Sequence, residues 1–493
     1  MADGGMTPDT AAAETSRSIA PGWARRRALF TDAFPVAVFF GWAAVFVALL
    51  VLNIQNRAFY LDSWAHMVFH FVLPASLLGA VLAALFLPVA VRLAVALSLA
   101  ATVPAIYGVE LYLAATRFGN GRAIDAGANF DARDKLRVLN DLGRAGQPAF
   151  PVTYVRSLLR DNGNGELVPA LAGDVPLLPL AGMPDATLVV CNETGQWTIY
   201  NSDPHGFRNP PEAWSRTPRV VLVGDSFVHG HCVQSDQSIP AHLARRFGRV
   251  LNLGSGGHGP LAELATLREY AEPLRPPVVL WVFYEGNDLT KDFAPEWRAP
   301  ILRAYLDDPG FRQNLMTRRG EIALRVRRHL DEKLTETMAR IDHPFELWRD
   351  ILQVYHLRKV LGLGVAALGV IEGDLDENIA RFARVLEAAA RSVRGWGGQS
   401  IFVYLPDGER YFGAIKNNPV RERIRRSVLE IARAANLPVV DLDPVLAAAP
   451  DPAGLYVFPG AHFNAEGYAL VAAAIAEAPA VRLAVGARQA QSR

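Results

Sequence analysis

The chain has 493 residues, long enough for more than one domain, and 50 Lys and Arg against 49 Asp and Glu leave a net charge of +1. So even a balance argues against nucleic acid as a principal partner, which would call for a basic face. At 51% hydrophobic residues the composition is rich for a soluble protein, and the excess is concentrated in the first quarter of the chain.

Residues 1–33 are polar and alanine-rich, carry Arg17, Arg25, Arg26 and Arg27, and read as a cytoplasmic tail. Phe34 to Asn53 is an uncharged apolar run, long enough to cross a hydrocarbon core of about 30 Å. Met67 to Leu87 is a second run and Leu93 to Ala115 a third, broken only by Glu110. The first run is longer than a signal-peptide core, shows no small-residue cleavage site, and is followed by more apolar sequence. Residues 34–116 are therefore expected to be a three-span membrane anchor, with two spans or a buried helical hairpin as the alternatives. The arginine cluster before the first span and Arg92 between the second and third both belong on the cytoplasmic side. Three crossings then place the rest of the chain outside the cell membrane, in the periplasm if the cell is Gram-negative. Glu110 is expected near the outer interface, where its charge reaches headgroups or water.

Residues 117–215 are rich in Gly, Pro and Asp and read as an extracytoplasmic lead-in, with a helix from Phe130 to Leu142 and otherwise short strands and loops. From residue 216 the pattern alternates. Arg219 to Val223 is a buried-type strand ending in Gly224-Asp225-Ser226, Ile239 to Phe247 reads as a helix, and Arg249 to Leu253 is a strand that breaks into Gly254-Ser255-Gly256-Gly257. A helix from Pro260 to Glu272 and a strand from Val278 to Tyr284 follow, the latter ending in Gly286-Asn287-Asp288. Residues from about 289 to 374 form a long charged insertion, largely helical in period, which includes Arg319 to Arg340 and is expected as a lid above the strand ends. Its cluster Arg325, Arg327 and Arg328 reads as a solvated face. The alternation then resumes with helix Asn378 to Val393, strand Ser400 to Leu405, helix Arg421 to Ala435, strand Pro438 to Asp441, and a last helix Ala465 to Ala478 stopped by Pro479. Strands alternating with helices imply a parallel sheet covered on both faces.

Serine, glycine, asparagine and, at Pro459-Gly460-Ala461-His462-Phe463-Asn464, histidine thus occur in order, the first three each where a strand ends. This ordered set resembles the SGNH (GDSL-type) hydrolase superfamily. The resemblance implies a flavodoxin-like α/β fold over residues 216–493 and serine esterase or O-acyltransferase chemistry without a cofactor. It makes Ser226 the nucleophile and His462 the base, because a hydroxyl is a weak nucleophile until a base takes its proton. The oxyanion donors are the N–H groups of Ser226 and Gly257, with Gly256 as the alternative, and the Asn287 side-chain amide. The family places an Asp three residues before the histidine, where this chain has Pro459; Asp451, Asp443 or Asp441, or a backbone carbonyl, could orient the imidazole instead. Asn201 to Asn209, with His205 and Arg208, resembles the lead-in of membrane-anchored bacterial members, which packs beside the catalytic domain.

Cys191 and Cys232, the only cysteines, both fall outside the membrane and are consistent with a disulfide between the lead-in and the loop after Ser226, or else with two buried thiols. The spacing of His229, His231, Cys232 and His258 does not compel a metal site. Two functions follow: a membrane-anchored enzyme acting on an acylated envelope glycan, glycolipid or other ester, needing a membrane acyl-donor partner only if it transfers; or, because of Pro459, an inactive module that binds envelope glycan.

Overall fold

The computed structural model describes residues 29–55, 67–117, 131, 133–340, 351, 354, 357, 374–412, 419–458 and 460–491. The basic tail, most of the loop after the first apolar run, much of the charged insertion, and Pro459 lie outside them. The chain divides into two compact units, residues 1–108 and 109–493.

In the first unit, α1 (Phe34–Gln55) is preceded by a π turn at Leu29–Ala33, and α2 (Leu73–Ala84) by another at Val68–Val72. The third helix, α3 (Val89–Arg117), continues into the second unit. Two helical stretches, Thr31–Val51 and Val89–Leu113, are long and apolar enough to cross a membrane. The middle one, Val68–Ala84, is shorter than the run Met67–Leu87 suggests, because the helix gives way to a turn at Leu85–Leu87 ahead of Pro88. Phe39, Phe46, Val81, Ala84 and Ala96 form a small buried cluster, while Phe40, Val47, Leu77 and Phe86 face outward. An apolar exterior around a thin apolar core suits a lipid environment. Arg92 pairs with Asp32 at 3.1 Å, so the start of α1 and the start of α3 lie at one end of the unit. Glu110 does not reach toward water: it is fully buried in the second unit, where its carboxylate accepts the Leu357 backbone N–H at 2.7 Å.

The second unit begins with a helix shorter than Phe130 to Leu142, since Asp134 caps α4 (Lys135–Arg144) by accepting the Arg137 N–H. Strand β1 (Ala149–Pro151) pairs in parallel with β4 (Thr187–Val189), which pairs antiparallel with β5 (Ile199–Asn201), and β2 (Leu159–Asp161) with β3 (Leu167–Pro169) makes a separate ribbon. The main sheet has five parallel strands, β6 (Val220–Val223), β7 (Val250–Asn252), β8 (Val278–Tyr284), β9 (Gln399–Leu405) and β10 (Val439–Asp441), in the order β10-β9-β8-β6-β7. Taken in chain order this is 2-1-3-4-5, the flavodoxin-like arrangement, whose order reverses between β6 and β8.

Between β6 and β8 run α5 (Ser226–His229), α6 (Ile239–Phe247) and α7 (Pro260–Thr266), the last continuing as a π turn to Ala271. The insertion contributes α8 (Phe293–Trp297), α9 (Pro300–Asp307) and α10 (Arg319–Arg340). It is tied to the lead-in: Arg298 pairs with Asp161 at 2.6 Å, and Arg325 donates to Val175 O at 2.9 Å. Arg325 is thus half-buried against the lead-in rather than on a solvated face. Helices α11 (Leu375–Gly395), α12 (Pro419–Ala434), α13 (Asp443–Ala447), α14 (Ala465–Glu477) and α15 (Pro479–Gln491) complete the unit. Pro479 does end α14, but it also opens α15, where its missing N–H costs no helical bond.

Alternation along the strands sends Leu222, Leu280, Val282, Ile401 and Val403 to one face, against Leu243 of α6 and Tyr468, Val471 and Ile475 of α14. On the other face, Phe283 and Phe402 pack on Phe382 of α11.

Candidate active site

The turn that carries Ser226 is built by close packing at the end of β6. A Cβ on Gly224 would lie 2.5 Å from the Val228 side chain and 2.9 Å from Val282 O, so no other residue fits there. Asp225 caps the short helix that follows by accepting the Phe227 N–H at 2.9 Å, and Gly230 ends it in the left-handed region at φ 80°. Ser226 therefore stands at the first position of a helical turn, at the C-terminal edge of the sheet where the strand order reverses.

From the other end of the chain, an isolated bridge between Tyr456 and Phe463 and the Val457 N–H to His462 O bond (3.1 Å) hold the turn before α14. Its histidine reaches across so that His462 Nε2 lies 2.8 Å from Ser226 Oγ. The Phe227 and His231 rings each sit 5.0 Å from the His462 ring and limit its rotation.

The carboxylate on the far side of the imidazole comes from the lead-in. Glu193 Oε2 accepts the His462 backbone N–H at 3.0 Å, and its two oxygens lie 3.2 and 3.1 Å from Nδ1. This corrects the candidates from the C-terminal region. Asp441 instead accepts from Arg425, Asp443 from the Tyr411 hydroxyl, and Asp451 from the Gly454 N–H. Glu193 sits at the tip of the β4–β5 hairpin, which is prolonged by Val190 N–H to Thr198 O (2.9 Å) and Thr198 N–H to Cys191 O (2.8 Å). Two bonds fix that tip to the loop after Ser226: the Cys191–Cys232 disulfide, and the Thr194 hydroxyl to Cys232 O at 3.1 Å. The signal in the sequence was the cysteine pair itself, since Glu193 is the carboxylate nearest to Cys191.

Asn287 leaves β8 beside the Ser226 turn. Its Nδ2 donates to Asp225 Oδ2 at 3.3 Å, and the same oxygen accepts from Ser226 Oγ at 3.3 Å, so Ser226 and Asn287 meet at one carboxylate. Burial pushes Asp225 above the ordinary carboxylate range. The glycine loop after β7 is bound to the same turn by Ser255 N–H to Gly224 O, 3.2 Å. Within it the two glycines differ. A Cβ on Gly256 would strike Tyr154 and His231, whereas Gly257 is part-exposed at φ 69° with open space where a side chain would go. Glu296 of the insertion holds the far end of this loop by accepting the N–H groups of Gly259, Leu261 and Ala262 at 2.7, 2.9 and 3.2 Å. The insertion thus braces the glycine loop, a role that charge pattern alone does not reveal.

Of the four residues weighed for a metal, Cys232 is committed to the disulfide and His229 Nε2 pairs with the Tyr200 hydroxyl at 2.9 Å. Burial lowers His229 and His231 well below the usual histidine range and His258 to about 3, so all three are neutral at physiological pH. The lead-in motif packs on the domain. Arg208 is buried and donates to Gly230 O and Val233 O at 2.5 and 2.8 Å, Asn209 exchanges bonds with Asn252 of β7, and the His205 ring lies against Trp214.

Residues 222–470, half of the chain, match the GDSL-like lipase/acylhydrolase family. The chain belongs to this family. No curated protein matches it. Among solved structures it is similar to the lipase/acylhydrolase from Enterococcus faecalis, with 17% identity, 55% of this chain and 96% of that chain covered, and a TM-score of 0.30. A putative lipolytic protein of the G-D-S-L family from Desulfitobacterium hafniense is similar at 15% identity, 52% and 95% coverage and a TM-score of 0.28. For LAE5, an alpha/beta hydrolase enzyme from the metagenome of Lake Arreo, the values are 14%, 56%, 97% and 0.29.

Proposed function

We propose that this GDSL-like protein is a membrane-anchored serine ester hydrolase, with Ser226 as nucleophile, His462 as base and Glu193 as the group that orients and charge-balances the imidazole. The observation that carries the reading is the continuous contact from Glu193 through His462 Nδ1 and Nε2 to Ser226 Oγ. As Ser226 Oγ attacks an ester carbonyl, its proton passes to His462 Nε2, and Glu193 stabilises the imidazolium that forms. The carbonyl oxygen, now negative, is met by the Ser226 N–H, the Asn287 amide and the N–H of Gly257, the glycine of this loop that is part-exposed with open space beside its Cα. Collapse breaks the bond to the alkoxy group, which leaves as an alcohol with the proton from Nε2. Water then gives a proton to His462 and attacks the acyl carbonyl; the acyl–Oγ bond breaks, His462 returns the proton to Ser226 Oγ, and the acid leaves.

The Cys191–Cys232 bridge supports an oxidising, extracytoplasmic compartment, and the apolar helices support a multi-pass anchor in the inner membrane. Arg92 lies at the same end of the first unit as the start of α1, which is the parity that the three-span reading requires. An acylated envelope glycan or glycolipid is the substrate class consistent with that location, and hydrolysis needs no partner beyond water. The motive for an inactive glycan-binding module was Pro459, and Glu193 removes it by supplying the carboxylate from another segment. The test is labelling of the detergent-solubilised full chain with a fluorophosphonate, followed by turnover of p-nitrophenyl acetate and of acetylated glycans. Wild type should label and turn over, and Ser226→Ala should do neither. Equal labelling of both proteins would remove Ser226 as the nucleophile.

A further inference from the structure

A cavity of about 960 Å³ lies elsewhere, between the lead-in sheet and α10, but its lining mixes both charges and favours no ligand. A second one does. It has a volume of about 780 Å³ and is lined by Arg268, Arg275, Arg312 and Arg391, with Glu272 as the one acid among its lining residues. Its walls are the turn after α7, the loop after α9 and the C-terminal end of α11, where Trp396 donates to Pro276 O just ahead of β8. Those are the N-terminal ends of β8 and β9. Ser226 and Asn287 lie at the C-terminal ends, and seven residues of β8 separate the two edges by about 20 Å.

Arg268 is the telling group. It is only 4% exposed, and it forms no ion pair among the described residues. One end of its guanidinium donates to the carbonyls of Tyr305 and Asp308, answering the negative end of α9, but its buried Nε has no hydrogen-bond partner. Burial, and next the positive charge of Arg312, disfavour its protonated form. Glu272 is already engaged by Arg312 at 2.6 Å, and Arg391 by Glu387. A buried guanidinium left without an anion is costly, and Arg268 lies in the wall of a cavity that Arg275, Arg312 and Arg391 also line, an excess of positive charge suited to an anion although Arg312 and Arg391 each hold one carboxylate already. Planar guanidinium donors match the tetrahedral oxygens of phosphate in paired hydrogen bonds.

We propose that this cavity is a second binding site, for a phosphate-bearing solute, on the sheet edge opposite Ser226. Calorimetric titration of the full chain in neutral detergent with inorganic phosphate, at low ionic strength so that screening is small, should show one saturable site. The double variant Arg275→Gln/Arg391→Gln should weaken it about tenfold, and Arg268→Met more, while Arg245→Gln, on α6, should leave it unchanged. The double variant changes side chains at the cavity rim and guards against misfolding of the Arg268 variant. Competition by dihexanoyl phosphatidic acid but not dihexanoyl phosphatidylcholine would assign the phosphate to a lipid headgroup. Competition by glucose 6-phosphate alone would assign it to a soluble phosphomonoester. Absence of saturable binding, or equal binding by wild type and the double variant, overturns the proposal.

Discussion

Replacing Glu193 with Gln tests the least expected part of the site. The substitution keeps size and shape but removes the negative charge 3.1 Å from His462 Nδ1. At that distance a carboxylate and an imidazolium attract by about 5 kcal/mol if the effective dielectric constant is about 20. The two side chains are 21% and 19% exposed, so solvent screens part of this, and about 3–4 kcal/mol of transition-state stabilisation is a fair expectation. At 1.36 kcal/mol per decade, kcat/KM on p-nitrophenyl acetate should fall roughly 10²–10³-fold, and further if the new amide donates to Nδ1 and fixes the wrong tautomer. Glu193→Asp keeps the charge but withdraws it by one methylene, and should recover part of the loss. The melting temperature should hardly move, because the amide keeps the size and shape of the side chain and can still accept the His462 backbone N–H. A Glu193→Gln enzyme within about threefold of wild type, with an unchanged melting temperature, would refute the assignment of the lead-in carboxylate.

If the disulfide acts by holding Glu193 in place, Cys191→Ser/Cys232→Ser should lower kcat/KM in the wild-type background and add little in the Glu193→Gln background. Additive losses would mean that the bridge serves the fold alone. Buried neutral histidines should make stability fall with acidity. His258 has a folded-state pKa of about 3 against 6.5 unfolded, so the unfolded chain binds the extra proton first and stability is lost as pH falls below 6.5. Between pH 6.5 and 5 that amounts to about 2 kcal/mol, and His258→Asn should show a shallower fall in melting temperature over this window. Asp407 is lowered too, by a different cause: burial alone would raise it, but Arg421 and the Glu409 N–H hold it below its ordinary value. Its contribution is therefore complete above the unfolded carboxylate pKa and is lost as pH falls through the lower folded one. Asp407→Asn removes two charge-assisted hydrogen bonds from the buried Arg421 and leaves it Glu409 as an ion-pair partner, so it should cost about 2 kcal/mol at neutral pH in denaturant unfolding.

What could be read from the chain, and what could not, follows the range of the interactions. The strands β6 and β8 are uninterrupted apolar runs buried on both faces, and such runs announce themselves. Helix α6 begins at Ser238, whose hydroxyl accepts the Ala241 N–H, and ends at Gly248, so both of its limits are written locally. Ser226, Asn287 and His462 were legible because each follows a strand or precedes a helix in a fixed order. Helix α15 was hidden by the habit of reading proline as a stop, although the N-terminal turn of a helix tolerates it. Glu296 was hidden because a Glu inside a charged insertion looks like many others until the N–H groups it accepts are known.

Glu193 shows why the rest needed coordinates. The family keeps the third carboxylate just before the histidine, and Asp441, Asp443 and Asp451 are the acids of that C-terminal stretch. A triad acid has only to place an oxygen near Nδ1 and carry a charge, and any segment rigid enough to do so will serve. Here that segment is a hairpin 269 residues away in sequence from His462, and a flexible hairpin could not hold 3 Å geometry by one ion pair. The bridge from Cys191 to Cys232 provides the rigidity, because it joins the hairpin tip to the loop six residues after Ser226. On the proposed function, Pro459 marks a relocated acid rather than a lost one, and the lead-in supplies a side chain of the proposed active site.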